Sequence, residues 1–160
     1  MTWAPIGQQP EIKTEGKRKG LKMSGAIEFF RGSFQYMEAE DKFNSESYTT
    51  FSETVLSQYN CPVILVEDGA PYHGAKVVKD FSACTGKDRL SIYRLLSYSP
   101  DFNPIEKLWK NTKRDSTHCK FFPESDDIRT SVVKTFKKYM EDATKVICVM
   151  KKLRNCAKVA

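Results

Sequence analysis

The hydrophobic positions of this chain change period several times, and their order predicts a mixed α/β fold. Residues 21–29 and 33–39 partly alternate on either side of a turn at 31–32, which predicts an antiparallel hairpin. Residues 63–66 form a continuous apolar run rich in β-branched side chains, which is typical of a strand buried on both faces of a parallel sheet. A further strand is predicted over 91–96.

Helical stripes separate and follow these strands. The first helix is predicted to begin after Asn44, a good N-cap residue. A second helix is predicted from about 72 to 84, and the chain is helical in pattern from Glu124 onward, with a basic final helix at 143–160. Strands alternating with helices after an initial hairpin indicate a mixed sheet with right-handed crossovers and flanking helices. The predicted stripes, in chain order, are Tyr48, Phe51, Val55 and Tyr59; Gly74, Val77, Val78 and Phe81; Ile128, Val132, Phe136 and Tyr139; and Val146, Met150 and Leu153.

The stretch 99–109 has the pattern of a loop that turns abruptly into a helix. Asn103 suits the N-cap and Pro104 the first helical position, where a missing N–H costs nothing. Glu106 then falls at the third helical position, the place of the acidic partner in a capping box. The apolar face of this helix is predicted to consist of Ile105, Leu108, Trp109 and Thr112. At the rim of that face, Glu106 either holds a metal ion or only caps the helix.

A second acidic residue follows the most apolar strand. Asp68 stands at the carboxyl end of the 63–66 run, the edge where open α/β sheets bind ligands, although a plain Asp-Gly turn explains it equally well. Neighbouring parallel strands would bring Asp68 and Glu106 to the same edge. Two carboxylates there suit Mg²⁺ or Mn²⁺, and with a third acid they would hold two metals for attack on a phosphodiester. His73 either orients a water or contacts a phosphate, or is a structural histidine at a helix start.

The composition indicates the charge of the expected partner. The chain has 160 residues, one domain by size, and 26 Lys+Arg against 20 Asp+Glu give a net charge of +6. A basic balance favours a polyanion, most simply nucleic acid. Cations cluster after Glu106, where they would attract a DNA backbone or merely form a solvated face, and Lys110 would pair with Glu106 in the second case. The predicted DNA-binding residues are Lys107, Lys110, Lys113 and Arg114.

Several classes of protein are disfavoured. The five cysteines include no C-x-x-C pair, which disfavours a zinc site or a disulfide framework and favours reduced thiols in an intracellular protein. No apolar run approaches the ~20 residues of a membrane span, so no membrane partner is expected. The first residues lack the pattern of a secretory signal. We therefore expect an intracellular protein, and a nuclear one if the source is eukaryotic.

Three blocks of sequence resemble those of one family. Residues 63–73, which contain Asp-Gly-Ala-Pro-Tyr-His at 68–73, resemble the second-aspartate block of mariner-superfamily DDE transposases (DDE superfamily endonucleases). Residues 99–109, Ser-Pro-Asp-Phe-Asn-Pro-Ile-Glu-Lys-Leu-Trp, resemble the family's third-acid block, its most diagnostic stretch. Residues 3–10 resemble the segment after the family's first strand, and the likeness extends to about residue 140.

The resemblance implies a fold, a chemistry and a set of partners. It implies an RNase H-like fold, two catalytic Mg²⁺ or Mn²⁺ ions, and cleavage and joining of transposon ends. Asp68 and Glu106 would be the catalytic metal ligands, with His73 and Asn103 as auxiliary residues. The implied partners are transposon-end DNA and either a second copy of the chain or a full-length transposase.

The chain departs from the family pattern at its start. The family's first catalytic aspartate lies on a strand upstream of the Trp-x-Pro-x-Gly segment, and here that tryptophan is Trp3. Glu28 and Asp41 are poor substitutes because they fall on or after later strands. We therefore expect residues 1–160 to be a single, N-terminally truncated domain, the C-terminal part of a catalytic domain without its first strand. Such a chain would be weakly active or inactive alone.

Two other functions remain open from the sequence. One is a non-catalytic module that binds DNA or a full-length transposase, which the net positive charge supports. The other is a small α/β phosphatase or nucleotide-binding enzyme that uses Asp68 alone. The chain contains neither G-x-x-x-x-G-K-[ST] nor G-x-G-x-x-G, which disfavours this last alternative.

Overall fold

The computed structural model describes residues 20–39, 42–96 and 102–157, with all side chains except those of 152–154, 156 and 157. These residues form a mixed α/β fold, as the pattern predicts. The elements are β1 Met23–Ile27, β2 Phe34–Glu38, α1 Ser45–Ser57, β3 Val63–Glu67, a 3₁₀ helix Pro71–Gly74, α2 Lys76–Thr85, β4 Leu90–Arg94, α3 Pro104–Ser116, α4 Ser125–Glu141 and α5 Ala143–Ala157.

The strands form two small sheets. β1 and β2 pair antiparallel, with Ile27 opposite Phe34, so the predicted hairpin is confirmed. β3 and β4 pair parallel, with Glu67 opposite Arg94, so the predicted parallel arrangement is also confirmed. Within the described ranges the two pairs are separate two-stranded sheets, one antiparallel and one parallel.

One half of the molecule, which we call the hairpin half, consists of β1, β2, α3, α4 and α5. Its apolar core contains Leu108, Phe136 and Val146, each with no exposed surface, so the predicted stripes of α3, α4 and α5 are confirmed where side chains are described. Gly25 on β1 allows a close approach, because a Cβ there would lie 2.7 Å from the ring of Trp109. The core thereby fixes α3 against the hairpin.

The remaining elements, α1, β3, the 3₁₀ helix, α2 and β4, form what we call the parallel half. Phe51 and Val55 of α1, Val78 of α2 and Leu90 of β4 are buried there. Arg89 joins these elements, since its guanidinium donates to backbone carbonyls at the end of α1, including that of Leu56 at 2.7 Å. A cation at this place also offsets the negative end of a helix that has no basic residue in its last turn.

The outer face of the parallel pair differs from the sequence expectation. Ile64 and Val66 on β3 are 67% and 54% exposed, so the prediction of a strand buried on both faces is wrong. Side chains alternate across a strand, and only the set that contains Glu67 is turned inward. A continuous apolar run does not reveal which face is covered.

The helix starts differ from the predictions in two places. α2 begins at Lys76, after a 3₁₀ turn that starts at Pro71 and ends where Ala75 is extended, so the predicted start near 72 is wrong. As a result Val78 is buried and Val77 is 45% exposed.

At α1, Asn44 is confirmed as an N-cap and forms a capping box with Ser47. At α3, Asn103 is the N-cap residue and Pro104 follows, as predicted, but the side chain of Asn103 makes no cap hydrogen bond. The capping box expected for Glu106 is therefore absent. Among the described residues, no helix has the length and apolar character needed to cross a membrane.

Candidate functional site

Asp68 lies immediately after β3, at the carboxyl end of the parallel pair. Its Oδ1 accepts a hydrogen bond from the backbone N–H of Ala70 at 3.0 Å, the pattern of an Asx turn. The side chain is 50% exposed. The turn therefore fixes the carboxylate and still leaves it accessible to solvent, as a ligand-binding carboxylate requires.

His73, on the 3₁₀ helix, closes the same turn from the other side. Its Nδ1 lies 3.1 Å from the backbone oxygen of Asp68 and 3.5 Å from Oδ1 of the same residue. A carbonyl oxygen only accepts, so Nδ1 carries the proton and donates to Asp68. His73 is 7% exposed and its ring packs on those of Tyr48 and Tyr72, each with a centroid distance of 4.5 Å. Of the two roles left open by the sequence, this geometry favours the structural one.

Glu67, next to Asp68, is the buried acid of this half. It is 6% exposed, and the Tyr48 hydroxyl donates to its Oε2. Arg94 donates to Oε1 from Nη2 at 3.0 Å and from Nε at 3.3 Å. A buried carboxylate needs such partners, because an unpaired charge in the interior is costly. The result is a polar network that joins α1, β3 and β4 directly beneath Asp68.

The environment of this network shifts the pKa values of its two tyrosines. Burial, followed by the hydrogen bond to Glu67, raises the pKa of Tyr48 strongly above its usual value. Burial and the charge of Asp68 raise the pKa of Tyr72. Both phenols therefore remain neutral at ordinary pH, and Tyr48 acts as a hydrogen-bond donor.

Sequence reasoning missed Glu67, Tyr48 and Arg94 as members of the site. Tyr48 is predicted as a core residue, and its burial confirms this, but the sequence does not reveal that its hydroxyl bonds to Glu67. The available signal was Glu67 itself, an acid that directly follows the apolar run 63–66 and would require partners if it were buried. The identity of those partners follows only from contacts between residues 19 and 27 positions apart.

Glu106 occupies a different setting. It lies in the first turn of α3 and is exposed, and its backbone N–H donates to Asn103 O at 3.1 Å. Among the described residues its carboxylate has no hydrogen bond or ion pair, so the alternative of a pair with Lys110 is not realised. Two residues further on, Leu108 has no exposed surface and anchors the helix. Packing of the helix thus fixes the backbone of Glu106 and leaves its side chain open.

The predicted DNA-binding residues share the exposed surface of the same helix. All four side chains are exposed. Arg114 also forms an ion pair with Asp115, with Nε 2.8 Å from Oδ1, which offsets part of its charge. The predicted residues on this surface are Lys107, Lys110, Lys113 and Arg114.

The fit to a divalent metal is partial. Carboxylate oxygens, as on Asp68 and Glu106, are the ligands that Mg²⁺ and Mn²⁺ prefer. Over the ranges that the structure describes, however, no group of three His, Cys, Asp or Glu side chains is placed to hold an ion. The side chains that the structure brings together are Glu67, Asp68 and His73, whereas Glu106 belongs to the hairpin half.

The described residues form an α/β domain with one acid after a parallel strand and another at a helix start, which agrees with the RNase H-like fold that the family resemblance implies. Residues 1–129 match the DDE superfamily endonucleases, and the chain belongs to that family. The match includes both Asp68 and Glu106.

A similar fold occurs in the crystal structure of the Mos1 strand transfer complex. The TM-score is 0.55 at 16% identity, over 92% of this chain and 48% of that chain. The chain thus spans about half the length of that relative. Comparison with curated proteins gives no match.

Proposed function

We propose that this chain carries two of the acidic residues of a DDE nuclease site, which cleaves and joins DNA strands with the help of divalent metal ions. The observation that carries the proposal is the position of Asp68, fixed in a turn at the carboxyl end of a parallel strand and still half exposed. The membership of the chain in the DDE superfamily endonucleases supports the same chemistry.

Asp68 and Glu106 are the residues that would hold Mg²⁺ or Mn²⁺. A bound ion of this kind stabilises charge on phosphoryl oxygens and activates the attacking oxygen. His73 would hold the Asp68 turn through its Nδ1–H, and Asn103 would begin the helix that carries Glu106. Because the described residues contain no group of three ligands, we infer weak metal binding and little strand transfer by this chain alone.

DNA is the proposed partner of the α3 surface. Lys107, Lys110 and Lys113 are exposed on the helix that carries Glu106 in its first turn, so a DNA backbone held there would lie close to that acid. Phosphate contacts of this kind release counterions, and affinity then falls with rising salt. Transposon ends are the substrate that the family resemblance implies, and a second copy or a full-length transposase would complete the assembly.

Metal binding provides the direct test. We would titrate the full chain with Mn²⁺, followed by its paramagnetic resonance, and compare Asp68→Asn and Glu106→Gln with the exposed control Asp80→Asn. We expect each site variant to weaken Mn²⁺ binding by roughly tenfold or more, because each removes one charged ligand. Equal Mn²⁺ affinity in all variants would contradict the proposal.

The exposed cations of α3 support a second function, a non-catalytic DNA-binding module. Duplex binding measured in EDTA distinguishes the two. Salt-dependent binding that survives Asp68→Asn and Glu106→Gln, together with no Mn²⁺ binding, would favour the module. Mn²⁺-dependent nicking of the duplex that disappears in both variants would favour the nuclease.

A further inference from the structure

An open pocket of about 560 Å³ lies between α2 and β4, and the function proposed above does not use it. Its apolar lining includes Val78 and Ile92, and Ala83 adds a small side chain on α2. Glu67 and His73 also line it, but Asp68 does not. The pocket is therefore adjacent to the Asp68 turn and distinct from it.

Three cations line this pocket. Lys79 and Lys87 are exposed, and among the described residues neither forms an ion pair. Arg94 is 48% exposed and directs Nε and Nη2 at Glu67, and among the described residues its Nη1 group has no hydrogen-bond acceptor. The charge of Glu67 is offset by that of Arg94, so the net positive charge of the lining comes from Lys79 and Lys87.

The combination of surfaces points to one class of ligand. Cations attract a phosphate, and next to apolar walls their field is screened less than in open water. Ile92 and Ala83 offer apolar contact area for the flat face of a nucleobase, whereas Val78 is only 3% exposed. Ser82, between the lysines along the chain, adds a hydroxyl to the lining.

We propose that this pocket binds a nucleotide, with its phosphate on Lys79, Lys87 and Arg94 and its base against Ile92 and Ala83. A nucleotide of this chemistry is either free or part of an unpaired DNA strand. The second source would extend the proposed DNA interface to a second surface. The proposal is independent of metal binding, because none of the three pocket cations is a proposed metal ligand.

The test measures binding by the full chain in EDTA, so failure of the nuclease proposal does not affect it. The probes are inorganic phosphate, thymidine 5′-monophosphate and a single-stranded oligothymidine, titrated while the backbone amide NMR signals are followed. We expect shifts at Lys79, Ser82 and Lys87 with the mononucleotide and larger affinity for the oligonucleotide if the strand is the natural source. Equal affinity per site for the mononucleotide and the oligonucleotide would identify a free nucleotide as the natural ligand.

Two variants separate the parts of the proposal. Lys79→Ala with Lys87→Ala should weaken mononucleotide binding roughly tenfold or more, since it removes two charge-assisted contacts. The matched control Lys137→Ala with Lys138→Ala removes the same charge from exposed positions of α4 and should leave the affinity unchanged.

Ala83→Leu, which narrows the pocket without changing its charge, should weaken the mononucleotide and spare inorganic phosphate. The proposal is overturned if the two double variants behave alike or if no probe shifts the pocket signals. Binding of phosphate and mononucleotide with equal affinity, both unaffected by Ala83→Leu, would refute the base contact.

Discussion

The two halves of the molecule hold their acidic residues by different physical means. In the parallel half, Asp68 follows a buried polar network in which Glu67 is bonded to Tyr48 and Arg94. In the hairpin half, Glu106 stands on a helix whose other face is anchored in an apolar core by Leu108, which has no exposed surface. Directional bonds fix the first acid and non-directional packing fixes the second.

This difference has consequences for how each acid responds to change. Hydrogen bonds and ion pairs depend on protonation and on the presence of each partner, so the parallel half is sensitive to pH and to the loss of single polar atoms. Apolar packing depends on volume, so the hairpin half is sensitive to cavities and to added atoms. Variants in each half therefore test the comparison separately.

The largest effect is expected from Phe136→Ala in the hairpin half. Phe136 has no exposed surface and its ring contacts those of Phe34 and Trp109. Its truncation should lower the free energy of unfolding by about 3–5 kcal/mol, through lost burial and a cavity. Urea denaturation measures this, with the 63% exposed Phe102→Ala as the control expected to change little. A loss equal to that of the control would contradict an apolar anchor for α3.

Tyr48→Phe tests the polar network of the parallel half. It removes one donor to the buried carboxylate of Glu67 and should cost about 1–3 kcal/mol of unfolding free energy. Tyr93→Phe, at a 61% exposed position, is the matched control. Native-state hydrogen exchange should show the loss of protection in β3 and β4. A loss of protection confined to α3 and α4 would contradict the assignment of Tyr48 to the polar network of the parallel half.

Gly25→Ala tests the close approach of β1 and α3. The new Cβ would lie 2.7 and 2.9 Å from two atoms of the Trp109 ring, so the helix or the ring must shift. We expect roughly 1–3 kcal/mol of destabilisation from overpacking, with a change in Trp109 fluorescence. Gly20→Ala meets open space and serves as the control. Unchanged stability and fluorescence in Gly25→Ala would show that packing against the hairpin does not fix α3.

The pH dependence sharpens the comparison on the polar side. The pKa of Tyr48 is raised above its usual value of 10.0, because the phenol is buried and donates to Glu67. Above that pH the unfolded chain releases this proton and the folded chain keeps it, so its contribution is complete below pH 10.0 and is lost as pH rises. The wild type should therefore lose up to about 1.4 kcal/mol per pH unit more than Tyr48→Phe. Parallel stability curves above pH 10 would contradict a buried phenol.

Much of this architecture follows from local sequence. Asn44 begins α1 and Pro104 begins α3, because capping and backbone preferences act over a few residues. The stripe that contains Val132 and Phe136 predicts the buried face of α4 correctly, since helical periodicity is a local property. The start of α2 was predicted wrongly, because Pro71 favours a short 3₁₀ turn before the helix.

The sequence by itself determined the order of the elements, the two acidic positions and, through residues 63–73 and 99–109, the family. The tertiary structure decided which acid is buried, which face of β3 is exposed, and that Lys79 and Lys87 line one pocket with Arg94. The physical reason is the separation along the chain between the residues that interact. Caps and stripes depend on neighbours along the chain, whereas the burial of Glu67 depends on partners that only folding brings into contact.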